Sequence, residues 1–295
     1  MNFIITGGTG FVGSHLRERL IKNGHHVFVL TRTPEEKVNT AFETYISYSV
    51  DPTELPEIYG IINLAGESLF GYWTEEKKHK ILSSRLKITD QVVQLVKDLP
   101  VKPKVFINGS AVGYYGTSLE HIYTEETTTP GEDFLAKVVV DWEDTASEVE
   151  KLGIRTVYTR FGIILGKNEG SLPMMKLPVQ LFVGGKIGDG EQWVSWIHID
   201  DAVSLVDFCL FNKEISGAVN ATAPRPQRNK ELYKILADVH NRPYWFHVPA
   251  PFITLALGEM SILLTEGQYV LPQKALDHGF EYRFPKLTTA LNQLK

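Results

Sequence analysis

Cysteine is nearly absent: Cys209 is the only one in 295 residues. A single thiol excludes an internal disulfide. Inside the apolar run AVSLVDFCLF, with no base beside it, Cys209 reads as a small core residue. An excess of one charge is equally lacking. The 35 acidic and 30 basic residues leave a net charge of -5, without the basic surplus of a nucleic-acid binder. No run is long and uncharged enough to span a bilayer, since PFITLALGEMSILL (251–264) is short and contains Gly258 and Glu259. Among nine histidines the one close pair, His25–His26, enters a strand-like segment, a poor geometry for chelating metal. Met1 leads at once into NFIIT, so no signal peptide and no membrane partner are expected, and the expected compartment is the cytoplasm.

What is present is an alternation. NFIIT, HHVFVLT, YGIINLAG, KVFINGS and RTVYTRFGIIL read as strands, and the first is apolar throughout, as a strand covered on both faces must be. Between them FVGSHLRERLIKNG, KILSSRLKITDQVVQLVKDL and residues 131–151 read as helices. This order calls for an α/β fold, a doubly wound parallel sheet of Rossmann type with right-handed crossovers. From about residue 167 glycine and proline fall irregularly, and a smaller C-terminal lobe is expected. The expected division is a nucleotide-binding domain over 1–166, completed by 197–222, and a substrate lobe made of 167–196 and 223–295.

The stretch TGGTGFVG places Gly7, Gly10 and Gly13 three apart between the first strand and the first helix. One glycine allows the tight turn, one lets backbone approach a pyrophosphate, and one lets helix pack on strand. The helix N-terminus then holds the phosphate charge. Thr9, Phe11 and Val12 complete this turn as candidate cofactor contacts. After the second strand, where an NAD site shows an acid for the ribose hydroxyls, stand Thr31 and Arg32. An arginine there can pair with a 2′-phosphate, so NADP(H) is the expected cofactor.

With TGGTGFVG, NLAG (63–66), GSAVGYYG (109–116), Lys137, TRFGIILG (159–166) and WIHIDDAV (196–203), the chain resembles the extended short-chain dehydrogenase/reductases. NLAGE, SSRLKIT, FLAKVVVDWE and EGQYVLPQKALDHGFEYRFP narrow the likeness to the atypical "epimerase family protein" subgroup. The resemblance implies that Leu64, Ala65 and Gly66 line the cofactor, that Arg85 faces its phosphates, and that Phe161 to Ile164 lie against the nicotinamide. It implies either a base or a hydrogen-bonded structural role for His198. Active members carry a tyrosine four residues before the lysine, one helical turn away, with a nearby Ser or Thr to polarise a carbonyl. Here the tyrosine position before Lys137 is Asp133. The usual hydroxyl position is Ala111, with Ser110 beside it. Ser110, Tyr114, Asp133 and Lys137 are therefore the candidate catalytic residues, with packing as the alternative for Tyr114 and Tyr115, and the resemblance implies that Lys137 also holds the cofactor ribose. Arg225 or Arg228 is a candidate for an anionic substrate group, or part of a solvated loop. Trp193, Trp196, Met174 and Met175 suggest an apolar wall, or core. The helices around 83–98 and 131–151 suggest a homodimer through Val92, Leu95, Val138 and Val139, unless these face the sheet. Three readings remain open: an NADP(H)-dependent oxidoreductase or epimerase on an unidentified small molecule, a non-catalytic NADP(H) sensor, and a structural protein with a vestigial pocket.

Overall fold

The computed structural model describes residues 1–295. Its centre is a parallel sheet of seven strands: β1 (Asn2–Thr6), β2 (His26–Leu30), β3 (Glu43–Ile46), β4 (Gly60–Asn63), β5 (Val105–Ala111), β6 (Arg155–Phe161) and β7 (Gly217–Ala221). Their order across the sheet is β7-β6-β5-β4-β1-β2-β3. The pleat sends alternate side chains of β1 to opposite cores. Phe3 and Ile5 meet Leu16 and Leu20 of α1 (Phe11–Lys22). Ile4 meets Val92 and Val96 of α2 (Glu75–Asp98) and Ala146 of α3 (Phe134–Ser147). Each such side chain, fully buried, contributes about 1.5–3 kcal/mol. The strand order reverses between β1 and β4, and in open α/β sheets the crevice that binds ligands lies at such a switch point, outside the carboxyl ends of the strands.

Beyond β6 the chain leaves the sheet, forms α4 (Leu172–Gln180), and returns as α5 (Ile199–Phe211), which packs beside α1, and β7. A second core around Trp196, Leu232 and Leu236 joins α4, α6 (Asn229–Val239) and the C-terminal helix. The tail supplies α7 (Ala250–Leu257), α8 (Ile262–Thr265), α9 (Gln273–Asp277) and α10 (Leu287–Gln293). It also crosses back to the sheet. Tyr269–Val270 pairs with Ile122–Tyr123, Thr222 Oγ1 donates to the Val270 carbonyl, and Asn220 Nδ2 donates to the Leu271 carbonyl. On the outer side of β7 the Asn220 N–H donates to Glu125 Oε1 at 2.8 Å.

Three details differ from the sequence reading. The strand β3, ETYI, was not expected, because four half-buried residues at a sheet edge carry little hydrophobic pattern. The second long helix starts at Glu75, where Thr74 Oγ1 accepts from the Lys77 N–H. The third starts at Phe134 instead of 131. A Cβ on Gly131 would lie 2.5 Å from the Gly116 Cα, so this segment passes against the preceding loop before the helix begins. The apolar residues considered for a dimer face are occupied within the chain: Val92, Val138 and Val139 are buried, and Leu95 packs at the edge of the α2 core. No helix is long and apolar enough to cross a membrane.

Candidate functional site

The carboxyl ends of β1, β4, β5 and β6 gather most of the expected residues at one edge of the sheet. After β1, Gly7 takes φ +67°, and a Cβ there would stand 2.9 Å from the Leu64 carbonyl and the Ala65 nitrogen. A Cβ on Gly13 would come within 2.1 Å of the Gly7 oxygen. Both positions therefore require glycine, one for turn and approach, the other for helix on strand. Gly10 begins α1 and offers no side-chain cap. The N–H groups of Phe11, Val12 and Gly13 have no intrahelical partner, and a concentrated positive dipole faces the switch point. Thr9 stands exposed on the turn.

A buried polar network fixes the floor of the crevice. Thr6 Oγ1 donates to Asn63 Oδ1 at 2.6 Å and accepts from the Leu64 and Ala65 N–H groups. Asn63 Nδ2 donates to Thr89 Oγ1 and Asn108 Oδ1, and Trp142 Nε1 donates to the same Thr89. Thr6, Asn63, Thr89 and Asn108 are wholly shielded from water, so these bonds hold the Leu64–Gly66 backbone in one place. The sequence singled out the backbone that lines the crevice and missed the side chains beneath it.

Arg85 lies against Gly66 and over the Trp142 ring, at 5.2 Å. Its Nη1 donates to the Glu67 and Ile81 carbonyls. No carboxylate pairs with it, and burial lowers its pKa to about 10. Arg32 is exposed after Thr31 and free of ion pairs, near enough to Tyr48 for its charge to oppose the rise that burial causes in that phenol. Phe161 and Ile164 pack half-buried at the end of β6.

The four candidate catalytic residues are held by different partners. Asp133 caps α3: its Oδ1 accepts from the Ala136 N–H at 2.9 Å. It stands one turn ahead of Lys137, whose N–H donates to the Asp133 carbonyl at 3.0 Å, but its carboxylate is turned onto the helix N-terminus. Lys137 is exposed. The inward face of α3 carries Leu135, whose Cβ lies 3.4 Å from where a Gly113 Cβ would be, then buried Val139 and Trp142. Leu135 and Val139 have the four-residue spacing of the implied pair and neither of its functional groups. Ser110 Oγ donates to Glu143 Oε1 at 2.5 Å. Glu143 also receives Arg160 Nε and Nη2, at 2.8 and 2.7 Å. Burial alone would lower the pKa of Arg160, but the bonds and charge of Glu143 raise it. The Tyr114 ring lies 3.4 Å from the Arg160 guanidinium, its hydroxyl donating to the Thr128 carbonyl. The Tyr115 hydroxyl donates to Asn220.

Other expected residues are structural. His198 Nδ1 accepts from the Asp200 N–H, so Nε2 carries the proton given to Gln293 Oε1, and burial lowers its pKa. Arg228 stacks on Trp193 at 3.6 Å, while Arg225 is exposed. Trp196 is core, and Met174 faces outward, so the suggested apolar wall does not assemble. Burial pushes the Cys209 thiol up to about 12. Two cavities flank the crevice. One of about 220 Å³ lies among Phe11, His15, Lys167, His198 and Asp200. The other, of about 480 Å³, lies between α3 and the C-terminal tail, among Trp73, Asp133, Phe134, Glu259, Thr265 and Glu266.

Comparison with known proteins agrees with this architecture over the whole chain. The "Epimerase family protein YfhF" of Bacillus subtilis (strain 168) is 47% identical over 297 residues, spanning 100% of this chain and 98% of that protein. A Staphylococcus saprophyticus "Epimerase family protein", SSP1921, is 40% identical, with 99% of each covered. The crystal structure of human epimerase family protein SDR39U1 (isoform 2) with NADPH superposes with a TM-score of 0.89 at 31% identity, covering 100% of this chain and 99% of that one. Residues 248–294 match a Domain of unknown function (DUF1731). Residues 3–221, which hold the glycine turn, the switch point and the whole sheet, match the NAD dependent epimerase/dehydratase family, and the chain belongs to that family.

Proposed function

We propose that the protein binds NADP(H) across the β1/β4 crevice and acts on a small molecule admitted between α3 and the C-terminal lobe. The observation that carries this is the uncapped first turn of α1, held against Leu64 and Ala65 by two positions where only glycine fits. The N–H groups of Phe11 to Gly13 would hold the pyrophosphate. Arg85, without a carboxylate partner, adds positive charge beside Gly66. Exposed Arg32 suits a 2′-phosphate, and the NADPH in the human relative supports the same choice. Phe161 and Ile164 would back the nicotinamide, which supplies hydride exchange when bound.

In this reading proton transfer does not run through a tyrosine–lysine pair, since the inward pair is Leu135 and Val139. Asp133, which borders the larger cavity, is the group on α3 left to take or give a proton. The same apolar pair favours a second reading, a sensor that binds the cofactor without turnover. Titration with NADPH and NADH tests the cofactor. NADPH should bind at least about tenfold tighter, and Arg32→Glu should abolish that preference. Equal binding of both nucleotides by the native protein would overturn the assignment. Incubation with NADPH deuterated at nicotinamide C4 and a metabolite extract separates the two activities. Protein-dependent label in a product establishes the enzyme, and bound NADPH without label favours the sensor.

A further inference from the structure

The tail builds one wall of the larger cavity, of about 480 Å³. Thr254, Glu259, Ser261, Ile262, Thr265 and Glu266 line it on that side, facing Trp73, Asp133 and Phe134. The wall is tied down at both ends. The Tyr72 hydroxyl donates to the Ala256 carbonyl, and the Gly71 N–H donates to Met260 Sδ. At the far end the Thr117 hydroxyl donates to Glu266 Oε2 at 2.6 Å, and the Ser118 N–H to the Gly267 carbonyl at 2.9 Å. A Cβ on Gly267 would stand 1.9 Å from the Trp193 carbonyl oxygen, so only glycine fits there. The role this gives residues 248–294 is to close the space beside Asp133.

Every charged residue in the lining is an acid: Asp133, Glu259 and Glu266. Asp133 Oδ1 takes the Ala136 N–H and leaves Oδ2 without a partner. Glu266 Oε2 takes the Thr117 hydroxyl and leaves Oε1 free. Glu259 pairs with Lys78. The surroundings do not cancel this charge. Lys77, Lys78 and Lys80 at the start of α2 are all bonded to carboxylates, and exposed Lys137 is matched in charge by Glu132. The chain has no other lysine or arginine between Lys104 and Lys137, and none between Arg242 and Lys274. Arg160 is held by Glu143, and Arg228, stacked on Trp193, donates to the Leu119 and Glu191 carbonyls.

Two further features point to a ligand. Ser261, 6% exposed, lines the cavity with a hydroxyl that makes no hydrogen bond, whereas Thr254 and Thr265 bond theirs to the Ala250 and Ser261 carbonyls. A hydroxyl so enclosed requires a partner. Trp73 and Phe134 meet edge to face at 5.4 Å, and the Lys78 ammonium lies 5.6 Å from the Phe134 ring. The chain's own cation thus already combines a ring with a carboxylate, the pairing that the cavity repeats.

We propose that this cavity takes a small organic cation, an ammonium group on an apolar ring or chain, with its charge met by Asp133 and Glu266 and its apolar part by Trp73 and Phe134. A nucleoside diphosphate or a carboxylate would bring negative charge to three carboxylates, with no free cation in the lining to receive it. The inference rests on the reading that the substrate enters between α3 and the C-terminal lobe, and it names the class of molecule admitted there.

The test uses the full chain loaded with NADPH and titrated, by ligand-observed NMR, with benzylamine (an ammonium ion at neutral pH), benzyl alcohol and UDP-glucose. Benzylamine should bind with a dissociation constant below about 10 mM, at least about threefold tighter than benzyl alcohol, and salt should erase the difference. UDP-glucose should not displace it. Asp133→Asn and Glu266→Gln keep the helix cap and an acceptor for Thr117. Each should weaken benzylamine about threefold, and unchanged binding of benzyl alcohol reports an intact cavity. Benzyl alcohol bound as tightly as benzylamine would overturn the proposal. So would benzylamine binding that ignores both substitutions, or its displacement by UDP-glucose. NADPH affinity, measured on the same samples, separates the two readings. Intact NADPH binding without the ammonium preference sinks this proposal alone, whereas the preference without NADPH binding supports the cavity assignment and sinks the cofactor reading.

Discussion

Glu143 offers the sharpest perturbation. It is the only carboxylate paired with Arg160, which is 5% exposed, and it also takes the Ser110 hydroxyl. Glu143→Ala leaves a buried guanidinium and a buried hydroxyl without acceptors. Stranding one partner of a buried pair costs about 3–5 kcal/mol, and at about 2–4 °C per kcal/mol the melting point falls about 6–20 °C. Replacing both partners, as Glu143→Leu with Arg160→Met, removes the stranded charge, and the thioether still packs on Tyr114. The double variant should therefore be more stable than Glu143→Ala by about 2 kcal/mol or more. Urea unfolding followed by circular dichroism measures both, provided the slopes agree. A loss under about 1 kcal/mol for Glu143→Ala, or a double variant no better than the sum of its singles, would refute the account. It would also return Ser110 to the list of free hydroxyls.

Three further expectations concern the turn, the cap and pH. Gly13→Ala drives a Cβ into the Gly7 carbonyl and should cost about 1–3 kcal/mol while weakening NADPH at least about tenfold. Gly153→Ala, where a Cβ meets nothing within 4 Å but φ is +73°, should cost about 1–2 kcal/mol and leave binding intact; equal NADPH loss in both variants would contradict the steric reading. Asp133→Ala should lose about 1 kcal/mol with its cap, which Asp133→Ser largely restores, while Lys137→Ala stays within about 0.5 kcal/mol in urea titration; a large Lys137 effect would place it in contacts the structure lacks. Because burial holds His198 below its ordinary pKa, its contribution is intact above pH ~6.5 and is lost as pH falls through the folded value, at up to about 1.4 kcal/mol per pH unit. Stability measured from pH 7 to 5 should fall less steeply in His198→Asn, and parallel curves would sink the assignment.

The sheet and the glycine turn were legible because both are local. NFIIT must be covered on two faces, and the spacing of Gly7, Gly10 and Gly13 states its own steric reason. The catalytic end was not, because it depends on helical phase. Asp133 and Lys137 have the spacing of the implied pair, and so do Leu135 and Val139; which of them the sheet buries depends on how α3 packs, which spacing alone does not state. A signal was available, for Asp133 ahead of FLAKVVV reads as a cap. Glu143, a lone acid on an otherwise apolar inward face, was a second. The roles of Trp193 and Arg228 were beyond reach, since their stacking joins residues 35 positions apart across two strands. The exposure of α7 was not legible for a different reason: an apolar run tells how much surface seeks cover and not whether the chain supplies it.

The clamp on β7 makes the last part of the chain responsible for the middle. A ribosome releases β7 long before residues 268–274, which hold its outer side through Asn220 and Thr222. Until they arrive, the edge of the growing sheet is held by the Tyr115 hydroxyl on Asn220 and by Glu125, a charged acceptor that another strand cannot continue. A chain stopped short of residue 268 would thus keep its glycine turn and switch point but carry an unfinished border, and its failure would be adhesion to neighbours before any loss of cofactor.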